Sequence, residues 1–150
     1  MQHISGADID IVLGTTMINV KQFTLNIEDG VKPTTTRGVP HGYVRGTTTA
    51  SGEITVDTQN FNLIMEAAES AGSFQELDPF DITTVGKTAQ QEFKTAAYGC
   101  KLRIAKLLDA AAEGGDKLEH TLPFDVTDSR FVEINGKPYL DRNHVEKLGL

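Results

Sequence analysis

Cysteine is almost absent from this 150-residue chain: Cys100 stands alone, which excludes an internal disulfide and any cluster of thiolates. A reducing compartment is the expected place of synthesis. Long apolar runs are missing as well. No uninterrupted stretch approaches the ~20 residues needed to cross a bilayer, and the opening MQHISGADID has neither the basic n-region nor the apolar h-region of a secretory signal. Positive charge is scarce, with 14 Lys and Arg against 21 Asp and Glu, a net charge of −7 and a pI near 5.0. A domain that grips nucleic acid draws much of its affinity from Lys and Arg on phosphates, so that class is disfavoured. A protein past which nucleic acid merely slides is not.

The motifs of catalysis are missing too. His3, His41, His120 and His144 are too scattered to form a ligand motif, and no Cys, His or carboxylate group has zinc or EF-hand spacing. There is no G-x-S-x-G elbow, phosphate-binding glycine loop or dinucleotide fingerprint. Asp8 and Asp10, two apart on one strand face, are a conceivable cation pair, but a solvated strand face is the ordinary reading. Cys100 with His120 as its base would make a nucleophile; its place in the series Tyr98, Cys100, Leu102, Ile104 makes it instead a small apolar filler. His41, between Pro40 and Gly42, reads as a contact residue and not a general base. The expectation is a protein without enzymatic activity, cofactor or metal.

What the sequence has in abundance is a period of two. Ile9, Ile11 and Leu13 alternate with Asp8, Asp10 and Val12, and Phe23, Leu25 and Ile27 with Gln22, Thr24, Asn26 and Glu28, a half-buried strand. Ile18 and Val20 fall on the other parity from Phe23, so a bend or bulge is required near Lys21; Gly14-Thr15-Thr16 supplies a turn before it. From Gly30 to Gly46 the pattern lapses into GVKPTTTRGVPHGYVRG, a long loop or a loosely paired hairpin that carries Lys32, Arg37 and Arg45. Loops longer than about 12–15 residues in a compact domain are usually functional or disordered. Ala50, Gly52, Ile54 and Val56 then face one way and Ser51, Glu53, Thr55 and Asp57 the other, along an extended segment of more than ~30 Å.

The best-supported helix follows. Asp57 or Thr58 caps it, Phe61, Ile64, Met65, Ala68 and Ala71 fall at helical spacing, and Gly72 suits the position after its end. Strands resume in PFDITTV and EFKTAAYGCKLRI. Residues 105–113 fit either a strand continuation or a short helix ending at Gly114; strand is favoured through Ile104. Leu122, Phe124 and Val126 alternate with Thr121, Asp125 and Thr127, with Pro123 pointing to an edge or bulged position, and Asn135-Gly136 signals a tight hairpin. Lys101 and Arg103 are placed to pair across the sheet with Glu53 or Asp57. The tail at 141–150 is polar, either loose or tucked against a neighbour. The fold class is mainly β (α+β), an antiparallel barrel or sandwich with one flanking helix in a single domain.

A glycine- and proline-punctuated loop leading to YVRGTTTASGEITVD, the capped TQNFNLIMEAAESAG, then PFDITT and HTLPFDVTDSRFVEING together resemble the tail tube proteins of contractile-tailed bacteriophages, over about residues 8 to 136. These are similar in fold to the tube protein of type VI secretion. The resemblance implies six-membered rings stacked into a hollow tube in the virion tail, made in the host cytoplasm. The implied partners are other copies of the chain, the tail sheath, a tape-measure protein and a baseplate initiator, with no membrane. DNA passes through the bore without sequence-specific binding.

Inter-ring contacts are then expected from the arm at 31–45, with Lys32, Arg37, His41, Tyr43 and Arg45 as contact residues. Ser51, Glu53, Thr55 and Asp57 are expected to face the bore. Six chains at −7 each give roughly −42 per ring, a weak repulsion of DNA. Two readings compete: another small tail component such as a completion or baseplate protein, and a monomeric β-barrel enzyme or ligand-binding module.

Overall fold

In the computed structural model, residues 1–6, 9–13, 16–108, 110 and 117–150 are described, the side chains of residues 9, 10, 13 and 16 aside. The elements are β1 (Ile9–Leu13), β2 (Thr16–Met17), β3 (Gln22–Asp29), β4 (Lys32–Thr36), β5 (Val39–Val44), β6 (Thr48–Asp57), α1 (Thr58–Ala71), β7 (Phe80–Lys87), β8 (Glu92–Leu102), β9 (Glu119–Val126), β10 (Val132–Ile134), β11 (Lys137–Pro138) and α2 (Arg142–Lys147). All pairings are antiparallel, in the order β2-β1-β7-β8-β9-β6-β3, with the β10–β11 hairpin joined to β8. The β4–β5 hairpin forms a separate two-stranded sheet.

β6 is the spine. Ala50, Gly52, Ile54 and Val56 are buried and the intervening residues are not, which is what strict alternation on a one-sided sheet produces. Phe124 and Leu122 from β9 and Ile82 from β7 complete the most deeply buried group. α1 closes this face over β6 and β9, burying Phe61, Ile64 and Ala68. Asp57 caps it by accepting from the Asn60 backbone N–H at 3.0 Å, and the Gly72 N–H bonds back to the Ala68 and Glu69 carbonyls. The expected bend falls at Lys21, whose N–H bonds the Thr55 carbonyl.

Several expectations need correction. β9 lies inside the sheet despite Pro123. The Pro123 carbonyl accepts from the Arg103 N–H at 2.8 Å, so the side of the residue without an N–H faces Arg103, one residue past the end of β8 at Leu102, and the proline forgoes only the reciprocal bond to the Arg103 carbonyl. That end also places Arg103 and Ile104 outside the strand, with residues 105–108 not helical and the rest of 105–113, Ala110 apart, outside the described residues.

Tyr98 is not in the series of Cys100 and Leu102. Ile82 pairs with Ala97 and Phe80 with Cys100, so β8 holds one extra residue there, with Gly99 at φ 63°; the bulge passes the core position to Ala97. Tyr98 is turned to Glu133, 3.0 Å from its hydroxyl, and Arg130 lies 4.3 Å from its ring centre.

The Lys101 and Arg103 pairings with Glu53 and Asp57 do not form, because β9 stands between β6 and β8. Lys101 donates to the Gln75 and Leu77 carbonyls and Arg103 lies 3.5 Å from Asp125. The tail folds on its own chain. Asp141 caps the short α2 and Val145 is buried, adding a second helix to the one expected.

The Gly14-Thr15 turn and Asp8 lie outside the described residues, as does the Asp10 side chain. The Asn135-Gly136 hairpin is as expected, with both residues at positive φ (52° and 80°).

Candidate functional site

Two surfaces carry the residues singled out in the sequence. One is the open face of the β3–β6–β9 sheet, opposite α1. Register sets its side chains in rows: Gln22, Thr55 and Thr121; then Thr24, Glu53 and Pro123; then Asn26, Ser51 and Asp125. Directly opposed residues in an antiparallel sheet share a face, so Ser51, Glu53 and Thr55 lie at its centre, between Gln22, Thr24 and Asn26 on one side and Thr121, Pro123 and Asp125 on the other. Every position on these rows is exposed or half-buried, and none holds a large apolar residue. Asp57 ends the same series beside Glu119, with Lys21 ion-paired to Glu119. Its carboxylate also caps α1, and the Asn60 backbone N–H, then the Asn60 side chain, hold it below the usual carboxylate range.

The second surface is the arm. Lys32 pairs with Val44, Pro33 with Tyr43 and Thr36 with Val39, with a register shift between Pro33 and Thr35. Arg37 and Gly38, both at positive φ (53° and 81°), turn the tip. Every residue of β5 is exposed, with Tyr43 at 71% and Val39 at 64%. The side chain of Thr34 donates to the carbonyl of His41, and the His41 residue is otherwise open.

At the root the two chain segments nearly touch. A Cβ on Gly46 would stand 2.3 Å from the Gly30 carbonyl oxygen, so only glycine permits the crossing. The root is also where an intrachain partner appears for one predicted contact residue: Arg45 reaches Asp141 at 3.0 Å. The Tyr139 hydroxyl donates to Asp29 at 2.7 Å. Between arm root and α2 lies a cleft of about 450 Å³ lined by Val31, Tyr43, Tyr139, Leu148 and Leu150 among others. The Tyr139, Asp141 and Leu148 part of this site went unread in the sequence. Its one legible signal is Asp141 two residues before Asn143, with Val145 and Leu148 three apart.

The alternative nucleophile pair does not assemble. His120 is buried against Phe61, ring centres 4.3 Å apart. Its Nδ1 faces the Leu107 carbonyl at 2.6 Å and its Nε2 faces the Thr58 hydroxyl at 3.1 Å. Cys100 is enclosed, its thiol 3.6 Å from the Ala97 carbonyl, and burial pushes it up to about 12.

An antiparallel sheet with a flanking helix, a projecting hairpin and a broad polar face defines a tail-tube-like protein. The same fold occurs in a chain of an extracellular contractile injection system, the PVC sheath–tube complex in its extended state. The TM-score is 0.66 at 9% identity, covering 89% of this chain and 91% of that one. The PVC sheath/tube terminator in extended state matches at TM-score 0.68 and 10% identity (90% and 98% covered). The tube-terminating cap of the anti-feeding prophage matches at 0.65 and 10% (90% and 92%). The chain belongs to the family described as Bacteriophage HP1, Orf24, whose model matches residues 7–140. It is 35% identical over 148 residues, 99% of each chain, to a protein of Haemophilus phage HP1 (strain HP1c1) named "Putative tail tube protein". It is thus a phage tail tube family protein, a structural class.

Proposed function

We propose that the chain is the subunit of the tube itself, closing into six-membered rings that stack into a hollow cylinder through which DNA passes at infection, with no catalytic step of its own. The observation that carries this reading is the polar face of β3, β6 and β9. It carries no large apolar side chain, and it stands opposite the buried face. A bore for DNA needs short neutral or acidic groups that offer phosphates nothing to hold, and Ser51, Glu53 and Thr55 supply them. Among the described strands, β3 and β2 at the two ends of the sheet each have a neighbour on one side only; joining copies there removes both edges.

In this reading the whole chain is one tube-like domain, the arm at 31–45 bears on the next ring, and the sheath, a tape-measure protein and a baseplate initiator are the remaining partners. The protein is made in the host cytoplasm and ends in the virion tail. Electron microscopy of the purified protein tests this: rings or tubes of uniform width are expected, and a strictly monomeric species at high concentration would refute it. The bore assignment is tested separately by Glu28→Lys and Glu53→Lys together, which leave the α1 cap intact. Slower DNA delivery from normally assembled particles is expected; unchanged delivery removes this face from the bore.

A further inference from the structure

Charge is spread unevenly along this acidic chain. Residues 31–45 hold Lys32, Arg37 and Arg45 and no acid, whereas residues 58–77 hold Glu66, Glu69 and Glu76 and no base. Arg45 is engaged by Asp141; among the described residues, Lys32, Arg37, Glu66 and Glu69 form no ion pair within the chain. Beside α1, near its C-terminal end, lies a shallow groove of about 360 Å³ lined by Met65, Ala68 and Phe74 with Glu66 and Glu69.

The arm has what this groove lacks. Its tip presents Arg37 beside Val39, which is 64% exposed, and β4 and β5 pack substantially only on each other. A lone two-stranded hairpin is marginal in water, so a covering surface is needed to hold it. At ~3.3 Å per residue, the five residues of β4 carry the tip roughly 17 Å beyond its root, far enough to reach a neighbouring molecule.

We propose that the groove beside α1 receives the arm of a second copy of the chain, Arg37 meeting Glu66 and Glu69 while Val39 covers Met65 and Phe74. This rests on the tube reading above and gives the arm its receptor. Donor and receptor are different patches of one chain, so the contact is head-to-tail, and set between stacked rings it repeats from each ring to the next. A single exposed ion pair is weak; repeated around a ring, the contacts act together, since the first to form holds the others at high effective concentration.

Charge exchange tests the pairing. Arg37→Glu, Glu66→Lys with Glu69→Lys, and all three changes combined are compared with the unaltered chain by sedimentation and electron microscopy. Each reversal is expected to raise the concentration at which tubes form by about ten-fold or more, and the combined chain to return to within about three-fold of the original. No recovery in the combined chain overturns the pairing. So does normal assembly of the helix variant, including the case in which its tubes form but no longer take up sheath, which would give the groove to the sheath.

If a reversed chain fails to fold by circular dichroism, the neutral pair Arg37→Gln and Glu66→Gln with Glu69→Gln replaces it. Each is expected to weaken assembly, and assembly as in the unaltered chain counts against the pairing. An unaltered chain that never forms tubes refutes the tube reading itself; tubes that form equally well from every variant refute only this contact.

Discussion

β6 and the arm are adjacent in sequence and opposite in construction. β6 has a strand on each side, a helix over one face and four residues buried in alternation. β4 and β5 pair only with each other, and every residue of β5 is exposed. Burial is the main source of folding free energy and is opposed by backbone ordering of ~1–2 kcal/mol per residue. The body meets that cost within one chain, while the arm buries little of its own with which to meet it.

The comparison is broken most severely from the body side. Phe124 is fully enclosed and stacked on Phe23, ring centres 5.8 Å apart. Phe124→Ala should cost about 3–5 kcal/mol of folding stability, read from a denaturation midpoint, and should weaken assembly because the pool of folded subunits shrinks. Gly52 on β6 tests the same packing: a Cβ there would stand 1.9 Å from the Thr24 carbonyl oxygen and 2.8 Å from the Phe124 ring. Gly52→Ala should separate β3 from β6 and lower the unfolding midpoint visibly.

Arm changes should do the reverse. Gly46→Ala, which forces the root apart against the Gly30 carbonyl, is expected to leave body unfolding nearly unaltered while impairing tube growth. Equal losses in both would make the arm part of the core. Hydrogen exchange sharpens the contrast without any mutation. Amides of 31–45 should exchange quickly in the monomer and slowly in tubes, whereas those of β6 and β9 should be protected in both. Equal protection of the arm in the two states would mean it is ordered before assembly.

The smallest effect is chemical. Cys100 should resist thiol reagents in the native protein, while a Val39→Cys change on the exposed arm should add a site that labels at once. The folded thiol is raised to about 12 from an ordinary 9.0. Below about pH 9 it is neutral in both states and contributes nothing. Between pH 9 and about 12 the unfolded chain ionises and the folded one does not, so stability falls through that window.

Much of the body was legible because alternation survives without knowledge of neighbours. The Ala50 to Val56 series, the α1 cap at Asp57 and the Asn135-Gly136 turn each depend on residues within a few positions of one another. The misreadings share a different cause. Pro123 looked like an edge residue because a sequence does not say where the neighbouring strand stops. Tyr98 looked like core because the bulge at Gly99 adds a residue only relative to β7.

Of the candidate surfaces, the parity of Ser51, Glu53 and Thr55 was readable, but their merger with Thr24, Asn26, Thr121 and Asp125 into one polar face was not, since it depends on strand register. The Arg37-Gly38 turn was missed because arginine is an unusual occupant of a left-handed position. The Arg45–Asp141 pair spans 96 residues and leaves no local trace.

By itself, the sequence determined which residues alternate, where the long helix starts and stops, and that positive charge gathers on the segment at 31–45, because each is a property of neighbours along the chain. Only the tertiary structure decided which strand lies beside which, where β8 gains its extra residue and that the arm is a sheet apart from the body, tied to it at its root. Those depend on pairings between distant segments, whose energies exist only once the chain has brought them together.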